Sequence, residues 1–255
     1  MSEKIQKVLA NAGVGSRRQI ETWITQNRIT VNGALATIGC RVDAQAKICI
    51  DNKPIKWQAQ ASDRTRILLY HKPEGEVATR SDPQGRATVF DNLPILRRQR
   101  WIQVGRLDLN TSGLLIFTTN GALANYLMHP RYEFEREYSV RVMGTVTDQA
   151  LHQLKTGVLL EDGMAHFDSI IKDPGGTGIN HWYHVTLKEG RQREVRRLWE
   201  TQGVVVSRLI RVRYGSIWLP RRLKPGHYEE LEKKQVHDFL STCQFLDNKA
   251  PKNKA

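Results

Sequence analysis

The chain has 255 residues, of which 39 are Lys or Arg and 26 are Asp or Glu, giving a formal net charge of +13. That length accommodates two domains with cores of their own, and that charge suits a polyanion such as nucleic acid better than a membrane surface. No run approaches the roughly 18 consecutive apolar residues of a spanning helix, and "MSEKIQKVLA" lacks the apolar centre of a secretory signal. A soluble, cytoplasmic protein with no membrane partner is expected. Cys40, Cys49 and Cys243 form no CxxC pair or Cys/His cluster, so neither a disulfide framework nor a zinc site is suggested. Nothing suggests a large apolar interface, which makes a monomer the default.

In chain order, Ile5, Val8, Leu9 and Ala12 recur at helical spacing until Gly13 and Gly15 stop the helix. Ser16 with Gln19 three residues on forms a capping box, and Ile20, Trp23 and Ile24 give the second helix its apolar face. "RITVNGALA" alternates around Asn32-Gly33, the strongest short hairpin signal, and "KICID" at 47–51 is a further strand. Arg17 and Arg18 occupy the first turn of the second helix, where the macrodipole disfavours cations. Taken alone they are equally a solvated face or two phosphate contacts. The helix, the turn, the Ser-Arg-Arg helix and the "ITVNG" hairpin together resemble the S4 RNA-binding module over about residues 3–50, which favours phosphate contact.

Residues 56–66, "KWQAQASDRTR", are polar and aperiodic, so they are expected to link an N-terminal domain at 1–55 to a larger domain at 67–240. Strands are predicted in "ILLYHKPEG", "GLLIFTTNG", "EYSVRVMG", "HWYHVTL", "GVVVSRLIRVRYG" and "SIWL". Helices are predicted at 121–128, at 148–155 after a Thr147 cap, and at 194–202 before Gly203. Strands outnumber helices without alternating regularly, which predicts an α+β fold with a mixed, mainly antiparallel sheet. Residues 241–255 read as a polar, disordered tail.

Several chemistries lack their motifs: there is no GxGxxG turn after a strand, no GxxxxGK[ST] loop, no HExxH and no GxSxG. The eight histidines are scattered; His181 and His184 are expected on one side of a strand, in structural or RNA-facing roles. What remains is four separated pieces: "HKPEG" at 71–75, "GRLDLNTSG" at 105–113, "REY" at 136–138 and "EGRQREVRRL" at 189–198. Alone, Asp108 reads as a turn former beside Asn110, Ser112 and Gly113. In the last piece Val195, Leu198 and Trp199 form one helical face, with Arg191 and Arg193 at the helix entrance and Arg196 and Arg197 on its flanks. So dense an arginine cluster in so basic a chain suits phosphate or a carboxylate.

These four pieces, in this order behind an S4-like module, resemble the RNA pseudouridine synthases that act on small- and large-subunit ribosomal RNA; "GRLDxxTSG" is the most specific element. The resemblance covers the chain to about residue 240. It implies isomerisation of a specific uridine in 23S ribosomal RNA or a large-subunit precursor, by breaking the bond from N1 to ribose C1′, turning the uracil and rejoining it through C5. No cofactor or metal is implied. The family's catalytic aspartate falls on Asp108, as nucleophile or as the group promoting elimination. The arginine that pairs with it and holds it ionised falls on Arg196, and the active-site tyrosine on Tyr138. Stacking of Tyr138 on a flipped base would be worth about 1–3 kcal/mol. Arg106 is expected to fill the vacated space in the RNA or to contact its backbone. Lys72 and Pro73 would shape the cleft, Leu209 would wall it, and Arg191 and Arg193 would meet RNA. A synthase for another ribosomal RNA site remains open, as does a non-catalytic ribosome-assembly protein in which the basic clusters do everything.

Overall fold

The structure, a computed structural model, describes residues 2–57, 65–96, 99–174 and 179–245. The chain separates into two compact units, the first built on Met1–Thr65 with Pro94–Ile102 and Thr119–Gly121, the second on the remainder. Among the described residues no helix is long and apolar enough to cross a membrane.

The first unit runs β1 (Glu3–Lys4), α1 (Ile5–Asn11), α2 (Arg17–Thr25), β2 (Ile29–Val31), β3 (Ala34–Leu35), β4 (Arg41–Val42), β5 (Ile48–Ile50) and β6 (Lys53–Pro54). The Ser16 hydroxyl accepts from the Gln19 backbone N–H at 3.0 Å and the Gln19 side chain closes the box, so α2 starts where its capping residues dictate. Asn32 and Gly33 both take positive φ, +52° and +88°, as the tight β2–β3 hairpin requires. Ile5, Leu9, Ile20, Ile24, Ile29 and Ile48 fill one small core under the sheet β3-β2-β5-β6. Trp57 packs against that core and donates to the Ala46 carbonyl at 3.0 Å, so order extends past the expected boundary at 55. Most of the expected linker, 58–64, lies outside the described residues.

The second unit carries β7 (Ile67–Lys72), β8 (Ile102–Val104), β9 (Ser112–Thr118), α3 (Gly121–Met128), β10 (Arg136–Met143), α4 (Asp148–Thr156), β11 (Val158–Leu160), β12 (Gly163–Ala165) and β13 (Ser169–Lys172). It continues with β14 (Asn180–Leu187), α5 (Glu194–Glu200), β15 (Val205–Tyr214), β16 (Ile217–Trp218), β17 (Tyr228–Glu230) and α6 (Lys233–Thr242). The main sheet has the order β13-β14-β10-β15-β9-β7-β17, with β16 on β15 and β8 on β9. Its β15–β9 ladder is parallel, whereas β13–β14, β14–β10, β10–β15, β15–β16, β9–β7 and β7–β17 are antiparallel, which is the mixed sheet expected. β9 is buried along nearly its whole length, as a central strand with both faces covered must be. β10 and β14 instead alternate, turning Tyr138, Val140, Val142, Tyr183, Val185 and Leu187 inward. α5 lays Val195, Leu198 and Trp199 on that face, with the Trp199 ring 4.9 Å from that of Tyr183.

Three expectations are corrected. The two-residue period of β14 sets His181 and His184 on opposite faces, and His184 Nδ1 lies 3.4 Å from the Glu137 carboxylate. Arg196 is not on a flank of α5 but buried within the unit at 6% exposure. The tail does not begin at 241: α6 runs to Thr242 and Phe245 is buried, its ring 5.4 Å from that of Tyr126. The rest of that tail, 246–255, lies outside the described residues.

Candidate active site

Asp108 sits in the loop between β8 and β9. Gly105 opens the loop at φ +72°, Arg106 is exposed, Leu107 is buried, and Thr111 N–H closes a turn on the Asp108 carbonyl at 3.1 Å. Beyond Asp108 the three successive carbonyls are each taken from the protein side. Leu109 O accepts from Gly75 N–H at 2.9 Å, Asn110 O from Arg196 Nη2 at 2.8 Å, and Thr111 O from Lys72 Nζ at 2.8 Å. Lys72 also donates to Pro73 O at 2.9 Å, so the "KPEG" turn and the Asp108 loop share one buried ammonium. Two cations thus fix the backbone that carries the carboxylate.

Both cations bear the cost of burial. Desolvation brings Lys72, fully buried at the end of β7, down to about 8, against the opposing pull of Glu76, Glu74 and Asp108. Desolvation also lowers Arg196, Arg193 adds to the lowering, and Asp108 opposes it. The ion pair expected between Arg196 and Asp108 is not formed: Arg196 Nη1 and Nη2 are committed to the carbonyls of Val206 and Asn110, each at 2.8 Å. Asp108 and Arg196 interact through space, and among the described residues the half-buried carboxylate has no ion-pair partner.

The carboxylate lines a cleft of about 770 Å³. Tyr138, Leu209, Arg106, Arg191 and Arg193 line it too, which brings six of the expected site residues together. Tyr138 on β10 and Leu209 on β15 are 9% and 3% exposed and form its inner wall. β15 carries an extra residue, Val212, between the partners of Glu137 and Tyr138, which sets Arg211 directly across from Tyr138. Gly113 permits β9 and β15 to meet: a Cβ there would lie 2.3 Å from the Arg211 carbonyl oxygen.

The remaining arginines divide by partner. Arg191, expected to meet RNA, is engaged by protein partners: Nε donates to Glu189 at 2.5 Å and Nη2 to Met164 O at 2.8 Å, tying the α5 entrance to the β11–β12 hairpin. Arg197 forms a two-pronged pair with Asp162 at 2.8 and 2.9 Å. Arg193 holds the left-handed position before α5, reaches Glu200 at 3.4 Å, and stays exposed. Arg106 is exposed and has no protein partner among the described residues. Arg17 and Arg18 are exposed on the first turn of α2 in the first unit. Sequence reasoning missed two cleft arginines, Arg136 and Arg211. Arg136 was visible in "REY", and its Nη1 grips the carbonyls of Lys188 and Glu189 at 2.5 and 2.6 Å.

Comparison with known proteins agrees with this geometry. The family model described as RNA pseudouridylate synthase matches residues 66–201, and the S4 domain model matches residues 3–48. A Pseudomonas aeruginosa protein named ribosomal large subunit pseudouridine synthase B is 56% identical over 241 residues, covering 94% of this chain and 62% of that protein. Proteins of the same name from Salmonella typhimurium and Escherichia coli K12 are each 59% identical over 239 residues, covering 93% of this chain and 82% of theirs. The chain thus spans less than two thirds of the Pseudomonas relative's length. A crystal structure of a pseudouridylate synthase shares the fold at a TM-score of 0.63 and 22% identity, covering 92% of this chain and 98% of that one. With the match spanning more than half its length and the relatives this similar, the chain belongs to the RNA pseudouridylate synthase family, with an S4 domain at its N-terminus.

Proposed function

We propose that this chain isomerises a specific uridine of large-subunit (23S) ribosomal RNA to pseudouridine, with Asp108 as the catalytic carboxylate. The observation that carries the reading is the placement of Asp108: a carboxylate without an ion-pair partner among the described residues, in an arginine-lined cleft, on a loop whose next three carbonyls are pinned from the protein side. Such fixing matters because the acting oxygen must be held where C1′ or the C2′ proton arrives, and misplacement by about 1 Å costs about 100-fold. The names of the relatives support the choice of RNA.

The reaction conserves atoms and is redox neutral. The Asp108 carboxylate either captures C1′ as the N1–C1′ bond breaks or takes the C2′ proton. Tyr138, an aromatic ring in the inner wall, supplies a face on which an extruded uracil stacks. Leu209 closes the apolar side. Arg106, exposed beside the carboxylate, is free to enter the space the uridine leaves or to meet the flanking backbone. Lys72 and Arg196 act as positioning residues through the loop carbonyls they hold.

The test is a map of pseudouridine across ribosomal RNA in cells lacking the protein, complemented with wild type or with Asp108→Asn. One large-subunit site should vanish and return only with wild type. If every site persists in the deletion strain, the catalytic reading fails and the non-catalytic RNA-binding one takes its place.

A further inference from the structure

Arg211 is a buried cation on the inner wall of the cleft. Its side chain lines the cleft yet is only 2% exposed, and among the described residues it forms no ion pair. Its Nε donates to Leu114 O at 2.8 Å, while Nη2 is buried without a hydrogen-bond partner. The guanidinium carbon lies 5.2 Å from the Tyr214 ring, and the Arg136 guanidinium lies the same distance from that ring, so a like charge shares its surroundings. A charge taken from water without a partner is strongly unfavourable, and the arrangement is completed only when an acceptor enters the cleft.

The surroundings identify the acceptor. Arg211 stands across the ladder from Tyr138, and its Nη1 is 4.0 Å from the point where a Cβ on Gly105 would be, three residues before Asp108. It therefore belongs to the inner wall where the base would lie, whereas Arg106 and Arg193 are the exposed cations suited to phosphates. We propose that Arg211 is a further catalytic residue, donating to a carbonyl oxygen of the uracil and stabilising the negative charge that collects there when the base is detached.

This rests on the reading of the chain as a pseudouridine synthase. When the N1–C1′ bond breaks, its electron pair passes to the uracil and spreads from N1 to O2 and O4. C1′ is meanwhile held by the Asp108 carboxylate, or is neutralised by loss of the C2′ proton. On rejoining, C5 bonds to C1′, the C5 proton is lost, N1 gains a proton, and a C2′ proton that had left returns. Arg211 neither gains nor loses a proton. A fixed donor aimed at developing charge in a water-poor site costs no reorganisation at the moment of reaction.

The experiment compares wild type, Arg211→Met and Arg211→Lys in single-turnover reactions on a ribosomal RNA fragment carrying either uridine or 5-fluorouridine at the target. Conversion is followed by nucleoside mass spectrometry, as pseudouridine from uridine and, since C5 then carries no proton to lose, as the C5-linked fluorinated nucleoside with water added across N1 and C6; binding is measured separately on the uridine fragment. Fluorine makes the detached base a more stable anion, so a variant lacking the stabilising cation should be partly relieved by it. Arg211→Met should slow the uridine reaction by about 100-fold or more while changing binding by less than about 3-fold, and fluorination should recover about 10-fold of that loss. Arg211→Lys should fall between the other two. The substrate comparison is internal to each preparation, so a partly misfolded variant does not distort it. An equal defect on both substrates would mark Arg211 as merely structural, and a defect confined to binding would make it a phosphate contact; either overturns the proposal. Wild type inactive on both would instead overturn the functional reading beneath it.

Discussion

The Arg196 guanidinium donates to the carbonyl of Asn110, two residues beyond Asp108, at 2.8 Å, while its second arm holds Val206 at the same distance. It is a brace between α5, β15 and the Asp108 loop. Arg196→Met leaves the buried Val206 carbonyl and the half-buried Asn110 carbonyl without their donors, each costing about 1–3 kcal/mol. Unfolding in urea should show a loss of about 2–4 kcal/mol, and the folded fraction should isomerise uridine about 100-fold more slowly. Arg196→Lys can serve one carbonyl at a time, so it should recover part of the stability and little of the rate.

Lys72 gives the stability a pH dependence of its own. Burial places its folded-state value at about 8, below the 10.5 of an ordinary lysine. Between these values the unfolded chain binds more proton than the folded one, so the Lys72 contribution to stability rises with pH. Below about pH 8 both states are protonated and the full penalty remains, up to about 3 kcal/mol. Measured against Lys72→Met, wild type should therefore gain stability from pH 8 to pH 10.5. A difference between the two proteins that stays flat over that range would remove Lys72 as its source.

Gly113 cannot be replaced cheaply. Its φ of +108° is unfavourable for a side chain, and an added Cβ would lie 2.3 Å from one backbone atom of Arg211 and 2.6 Å from another. Gly113→Ala should cost at least about 3 kcal/mol, from overpacking together with the strained backbone. Thermal unfolding of the second unit is the readout, and a shift of only one or two degrees would contradict it.

Arg17 and Arg18 should matter for affinity and little for chemistry. Replacing both by Ala should weaken RNA binding and reduce the slope of log affinity against log salt by about 1.5–2. Single-turnover isomerisation at saturating enzyme should stay near wild type. An unchanged salt slope would return both residues to the status of a solvated face.

What was legible in the sequence was what local chemistry decides. Ser16 with Gln19 caps α2, Asn32-Gly33 turns the hairpin, and Thr147 starts α4, accepting from Ala150 N–H at 3.1 Å. Asp108 alone reads as a turn former, and it was singled out only through the contiguous motif "GRLDLNTSG" and the resemblance that motif carries. Side-chain destinations set by distant partners were hidden: Arg196 reads as a helix flank until Asn110 and Val206 arrive to accept from it. Arg211 was hidden by the extra residue in β15, since simple alternation does not say which residue of that strand stands across from Tyr138. The short strands β11 to β13 carry too few residues to establish a period.

The parallel ladder between β9 and β15 joins Ser112 to Ile210 and Gly113 to Arg211, residues about a hundred positions apart. Closing so long a loop makes this a late step in folding. Until β15 docks, the Asp108 loop has neither Leu209 nor Arg211 beside it, and Arg196 lacks its Val206 acceptor. A growing chain therefore carries Asp108 about a hundred residues before the strand that completes the cleft. The cleft is complete only once this central strand has entered the sheet.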